Sequence, residues 1–115
     1  MYFDGFVARA DPAGSLLWAL HIGSDRDDEV AEVHFDDADR MVVGGLVDDA
    51  FTVQVFDGTE VAWSWCSSDL YQVYSAPSGD AVILAPWVVE KDLDLGAGVL
   101  PGFGGSDIVV AKIRP

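Results

Sequence analysis

Three carboxylates fall within four residues at Asp36-Asp37-Ala38-Asp39. Hard cations such as calcium take roughly six to eight oxygen ligands from acidic loops, which makes Asp36, Asp37 and Asp39 the candidate calcium ligands. The set lacks the glycine and the distal glutamate of an EF-hand loop, so a polar hairpin turn is the simpler reading. A second acidic run holds Asp25, Asp27, Asp28 and Glu29. Its mutual repulsion is relieved by a cation or, by default, by water. His21 and His34 are the only histidines, and neither stands at the spacing of a zinc site or a nucleophile–base pair. His34 is expected to face solvent beside Glu32. The chain has no Gly-x-Ser-x-Gly elbow, no His-Glu-x-x-His and no Gly-Lys-Ser or Gly-Lys-Thr phosphate loop. Gly102-Phe103-Gly104-Gly105 leads into a strand pattern, so its amides gain no helix-terminus field.

Aromatic faces stack on sugar rings, and four tryptophans could line such a groove. Core packing is the stronger reading for three of them. Trp18 alternates with Leu16 and Leu20, and Trp63 and Trp65 share a face with Val61. Tyr71 and Trp87 are the candidate exposed contacts for a ligand. Cys66 is the single cysteine, which excludes an internal disulfide and a cysteine zinc cluster. It is expected to be a small core hydrophobe.

These side chains need elements to position them. At 115 residues, half of them apolar, the chain is long enough to bury a core. Charged or turn residues interrupt every apolar run well short of the roughly 18 residues a membrane-spanning helix needs, so no membrane insertion is expected. Twenty acidic against six basic residues give a net charge of −14, a field that repels phosphate backbones and makes nucleic acid an improbable partner. The start at Met1-Tyr2-Phe3-Asp4 carries no secretory signal pattern.

The chain repeats itself. Residues 4–12, Asp-Gly-Phe-Val-Ala-Arg-Ala-Asp-Pro, align without gaps on residues 107–115, Asp-Ile-Val-Val-Ala-Lys-Ile-Arg-Pro, at a shift of 103 positions. Alternation sends Phe6, Ala8 and Ala10, or Val109, Ala111 and Ile113, to one face and Arg9 or Lys112 to the other. A weaker middle copy sets Phe51, Val53 and Val55 on one face, 45 residues after Phe6. Turn signals then predict two hairpins per repeat. Asp11-Pro12-Ala13-Gly14 and Asp57-Gly58 close the first of each pair; Asp36-Asp37-Ala38-Asp39 and Ala76-Pro77-Ser78-Gly79 close the second. Residues 27–35 also fit an acid-capped helix, but the counterpart Leu70-Tyr71-Gln72-Val73-Tyr74 is aromatic and β-branched, which favours a strand in both places.

The opening Asp4-Gly5-Phe6-Val7-Ala8-Arg9-Ala10-Asp11-Pro12-Ala13-Gly14-Ser15-Leu16-Leu17-Trp18 resembles the bacterial SBBP-type β-propeller repeats. Ile22-Gly23-Ser24-Asp25-Arg26-Asp27-Asp28-Glu29 is similar to that family's Gly-Gly-x-x-x-Asp-Asp connector, and Met41-Val42-Val43-Gly44-Gly45 to its strand ending in a small-residue pair. Asp92 to Gly98 and Gly104 to Lys112 resemble the linker and start of a following repeat. The middle copy departs from the pattern, with Gln54 at the basic position and Leu84-Ala85-Pro86-Trp87 at the glycine pair. The resemblance implies an all-β fold of propeller-like antiparallel four-stranded blades, two blades plus one extra strand. Residues 4–47 form repeat 1, 50–95 a divergent repeat 2, 96–106 a Gly-rich linker and 107–115 the first strand of a third repeat. It further implies an extracellular or cell-surface location and no shared catalytic site.

Inner strands of such blades are apolar on both faces, as Leu16-Leu17-Trp18-Ala19-Leu20-His21-Ile22 nearly is. Two blades and a strand do not close a ring, which needs about 4 to 8 blades. A non-catalytic binding or scaffold module cut from a longer array is the favoured expectation, with a protein or carbohydrate ligand. The alternative is a structural unit that completes its sheets between chains, through edge strands or a donated strand 107–114. A face-to-face sandwich of two sheets is a third architecture, and a propeller hydrolase or lyase ranks last among the functions.

Overall fold

Alternating side chains between short turns fold this chain into antiparallel sheets. A computed structural model describes residues 3–70, 73–86, 93–95, 99–100 and 110–115. The strands are β1 (Gly5–Ala10), β2 (Leu16–Ile22), β3 (Glu29–Phe35), β4 (Met41–Val47), β5 (Ala50–Asp57), β6 (Glu60–Ser67), β7 (Val73–Ser78), β8 (Ala81–Pro86), β9 (Leu93–Asp94), β10 (Val99–Leu100) and β11 (Ala111–Ile113). The acid-rich stretch that also fits a helix is strand β3. Among the described residues no helix is long and apolar enough to cross a membrane.

The sheets are β1–β2, β3–β4–β5–β6, β7–β8–β11 and the short pair β9–β10. This order corrects the expectation of two four-stranded units and one extra strand. The one four-stranded sheet among the described residues joins the second hairpin of the first repeat to the first hairpin of the second. Its hinge is Asp48-Asp49, which falls between the expected repeats 4–47 and 50–95. Both residues have positive φ, 51° and 62°, and Val47 pairs directly with Ala50. Positive φ at both central residues is the type I′ pattern, whose twist matches that of the flanking strands. The pair β9–β10 likewise lies partly within the expected linker 96–106.

Two other turns share one design. In Asp11–Ser15 and in Asp36–Arg40 the first residue's N–H donates to the last residue's carbonyl, at 2.9 Å in each. The fourth residue, Gly14 or Asp39, takes positive φ, as a type I turn followed by a left-handed residue requires. The turn expected at Ala76-Pro77-Ser78-Gly79 is tighter than its composition suggests. Strand β7 runs through Ala76-Pro77-Ser78, Ser78 pairs with Ala81, and Gly79 with Asp80 makes the turn.

The three larger sheets stack face to face, with β3–β6 in the middle. Val42, Phe51, Val53 and Val55 on one of its faces pack with Leu70, Val73, Val82, Leu84 and Ile113. Met41, Val43 and Phe56 on the opposite face pack with Val7 and Ile22 of the first hairpin. Strand β4, buried along Met41–Gly45, therefore lies between two cores. Strand β2 was expected in that place, but it forms the edge of a two-stranded sheet. Trp18 and Leu20 pack inward, and Leu17 is 56% exposed. An extra residue in β3, Ala31, breaks its register against β4. Such a bulge re-aims the side chains beyond it, so Val30 packs toward the first hairpin and Glu32 reaches toward β7.

Strand positions and faces give the repeat its register. Val7 and Val53 face the sheet that follows in the chain, and Val110, on the same side of the last sheet, is 70% exposed. Phe56 and Ile113 face the sheet that precedes, and Ala10 sits at the matching place in β1. The gapless match between the two ends of the chain thus joins positions of the same face. The middle copy needs correction by one residue: Phe51 corresponds to Gly5, not to Phe6. Phe51 is buried and Phe6 is 72% exposed, because a one-residue slip moves every side chain to the other face.

Candidate functional site

The acidic connector between β2 and β3 folds onto the Asp48-Asp49 turn, and one carboxylate organises the junction. Asp28 is only 4% exposed. Its side chain accepts the Ser24 N–H at 2.6 Å, the Ser24 hydroxyl at 2.9 Å and the Asp48 N–H at 3.0 Å. Its own N–H donates to the Phe3 carbonyl at 2.7 Å, and the Phe3 N–H donates to Asp27 Oδ1 at 2.7 Å. Burial alone would raise the Asp28 pKa, but the hydrogen bonds from Asp48 and Ser24 outweigh it and hold the carboxyl below its ordinary value. Arg26 extends the junction outward, with Nη1 2.6 Å from Asp49 Oδ2 and Nε 3.4 Å from Asp48 Oδ1.

Beside this junction opens a cleft of about 680 Å³ lined by Phe3, Asp27, Asp28, Glu29, Leu46 and Asp49. Phe3 exposes most of its side chain there. One aromatic face among carboxylates suits a ligand that offers hydroxyl or cationic donors and an apolar face to stack.

The structure separates the candidate calcium ligands. The Asp36 carboxylate is turned into its own turn, where Oδ1 accepts the Ala38 and Arg40 N–H groups at 2.9 and 2.8 Å and Oδ2 accepts Arg40 Nε at 2.8 Å. Burial pushes its pKa up, and the bonds from Arg40 and Ala38 more than reverse that, leaving it lowered. Asp39 pairs instead with Arg9 at 3.3 Å, whose guanidinium lies 4.8 Å from the centre of the Phe35 ring. Asp37 sits between them in the exposed part of the turn. Among the described residues no three His, Cys, Asp or Glu side chains are grouped to hold a metal ion. Tyr71 and Trp87, the candidate ligand contacts, lie outside the described residues.

The histidines and the cysteine differ from expectation in part. His21 Nε2 is 2.9 Å from Asp4 Oδ2. His34 lies 3.6 Å from Glu32, too far for a hydrogen bond, and its Nε2 is buried instead of facing solvent. Cys66 is exposed: on edge strand β6 it alternates with Trp65, which packs against the larger core. Glu32 carries a role that its sequence did not announce. Its Oε2 accepts both the N–H and the hydroxyl of Ser75, at 2.6 and 2.8 Å, and so ties β3 to β7 across two sheets. Only the bulge at Ala31 makes this reach possible, and no local sequence pattern marks it.

The fold and this junction define a class: stacked antiparallel sheets whose turns and connectors are closed by aspartates. Compared with family models, curated proteins and solved structures, the chain matches none.

Proposed function

We propose that this chain is a non-catalytic binding or scaffold module, with its stacked sheets acting as blades of a propeller-like array. The observation that carries this reading is how the least exposed carboxylates are used. Asp28 and Asp36 cap backbone N–H groups of turns and connectors, and Glu32 cross-links two sheets. A carboxylate acting as general acid or base needs a proton to exchange with a substrate and a pKa near the working pH. Asp28 and Asp36 move the opposite way. The binding surface in this reading is the cleft at Phe3, with a carbohydrate or a protein segment as its ligand.

The test pairs glycan and peptide binding screens with broad hydrolase and lyase profiling. Binding is expected to weaken in Phe3→Ala and Glu29→Gln, with no turnover in any variant. Turnover that Asp27→Asn or Glu29→Gln abolishes would overturn the reading.

A further inference from the structure

The two outer sheets are incomplete in complementary ways. Among the described residues β1 pairs with β2 alone, so its other edge presents unpaired backbone donors and acceptors. The equivalent strand β5 is covered on that edge by β4 along seven residue pairs. The equivalent strand β11 is covered there by β8 along three. Sheet β7–β8–β11 in turn shows no described strand beyond β11, where β6 continues β5.

We infer that copies of this chain exchange strands head to tail, with hairpin β1–β2 of one copy replacing β11 on strand β8 of another. The equivalence of β1 and β11 fixes the register. Because Ala111 pairs with Leu84, Lys112 with Ile83 and Ile113 with Val82, Ala8 comes opposite Leu84, Arg9 opposite Ile83 and Ala10 opposite Val82. The incoming strand is six residues long against three for β11, and it brings β2 with it, so the composite sheet has four strands.

Two further observations point to the same occupant. An open cleft of about 470 Å³ lies beside β1 with Val33 and Phe35 on its floor, where strands preceding β1 in its sheet would lie. In the exchanged assembly β7–β8 of the second copy occupies that place, with Tyr74 and Ile83 on the face turned toward it. Phe6 and Leu17, on the outward face of β1–β2, meanwhile cover the second copy's β5–β6 surface. Donation in the opposite sense is disfavoured, because it would replace the six-residue β1 with the three-residue β11, whereas the proposed exchange replaces the shorter strand with the longer one. Each exchanged copy owns two four-stranded sheets, so about two to four copies close a ring of about four to eight sheets. The inference goes beyond the scaffold reading and stands or falls separately from it.

Sedimentation velocity over a concentration series is the first test, at physiological salt so that the net charge of −14 is screened. The full chain is expected to associate, and deletion of residues 107–115 removes the resident competitor and tightens association by about tenfold or more. The second test uses two preparations in a Cys66→Ser background, one with Arg9→Cys and one with Ile83→Cys, each checked for native circular dichroism. Mixed and gently oxidised, they are expected to form a disulfide between chains that is absent in denaturant. Single-copy sedimentation at every concentration with and without the deletion would sink the inference. So would loss of association on deletion, or cross-linking no greater than in denaturant.

Discussion

Truncating Asp28 to alanine isolates the junction between the β2–β3 connector and the Asp48-Asp49 turn. The substitution strands two backbone donors, Ser24 N–H and Asp48 N–H, together with the Ser24 hydroxyl. A buried donor left without a partner costs about 1–3 kcal/mol. Asp28 itself is buried, whereas Ser24 is half-exposed and Asp48 exposed, so water recovers part of the loss. The expected destabilisation is therefore about 2–3 kcal/mol in total, from the low end of that range for each donor. In a chain of this length that lowers Tm by about 8–12 °C. Asp25→Ala, in the same acidic run but exposed, is expected to stay within about 0.5 kcal/mol. Asp28→Asn keeps the volume but turns one acceptor into a donor, and falls between the two. Urea unfolding followed by tryptophan fluorescence measures all three. Equal midpoints for Asp28→Ala and Asp25→Ala would refute the reasoning, because position 28 would then be one more solvated acid.

Asp28 and Asp36 both have lowered pKa values in the folded chain. Their stabilisation is therefore complete above the unfolded aspartate value of about 3.9 and is lost as pH falls through the lower folded values. Melting temperatures should drop steeply below about pH 4, and the double variant Asp28→Asn with Asp36→Asn should flatten that slope; an unchanged slope would contradict the assignment. Gly45→Ala is expected to cost about 2 kcal/mol or more, because a Cβ there would collide with the Glu29 carbonyl oxygen, a backbone atom that a rotamer change does not move. Chemical denaturation measures that loss, and a neutral result would place the β3 bulge elsewhere. Leu84→Ala, in the larger core, is expected to cost about 2–5 kcal/mol, against under about 1 kcal/mol for the exposed Leu17→Ala in the isolated chain. Glu32→Gln weakens a charge-assisted contact to Ser75 and should lose about 1 kcal/mol, read as a shift in the denaturation midpoint.

The strands were legible where turn chemistry is loud. Asp11-Pro12-Ala13-Gly14 and Asp36-Asp37-Ala38-Asp39 announce hairpins because proline, glycine and aspartate each suit a defined turn position. Asp48-Asp49 resembles a boundary in sequence because a type I′ turn without glycine looks like any acidic pair. The register of the middle repeat slipped by one for a related reason. In β5 both faces are apolar near Val55 and Phe56, both buried, so alternation does not say which face is which. Asp28 is indistinguishable from its acidic neighbours by type alone; what sets it apart is its burial by the folded connector, which is a tertiary fact. The charge of Glu32 suggested solvent, and a single inserted residue, Ala31, sent it toward another sheet.

That carboxylate also bears on how the chain assembles itself. Sheet β3–β6 is a meander of sequence neighbours, so each of its turns zips locally, on a scale of about 1–10 μs for a hairpin. Docking β7–β8 against it is the non-local step. A misaligned landing would strip water from Glu32 without supplying Ser75, an error that the hydrophobic surfaces alone would tolerate. The acid thus acts as a proofreader of docking, making the correct alignment the one in which this half-buried carboxylate finds its partner.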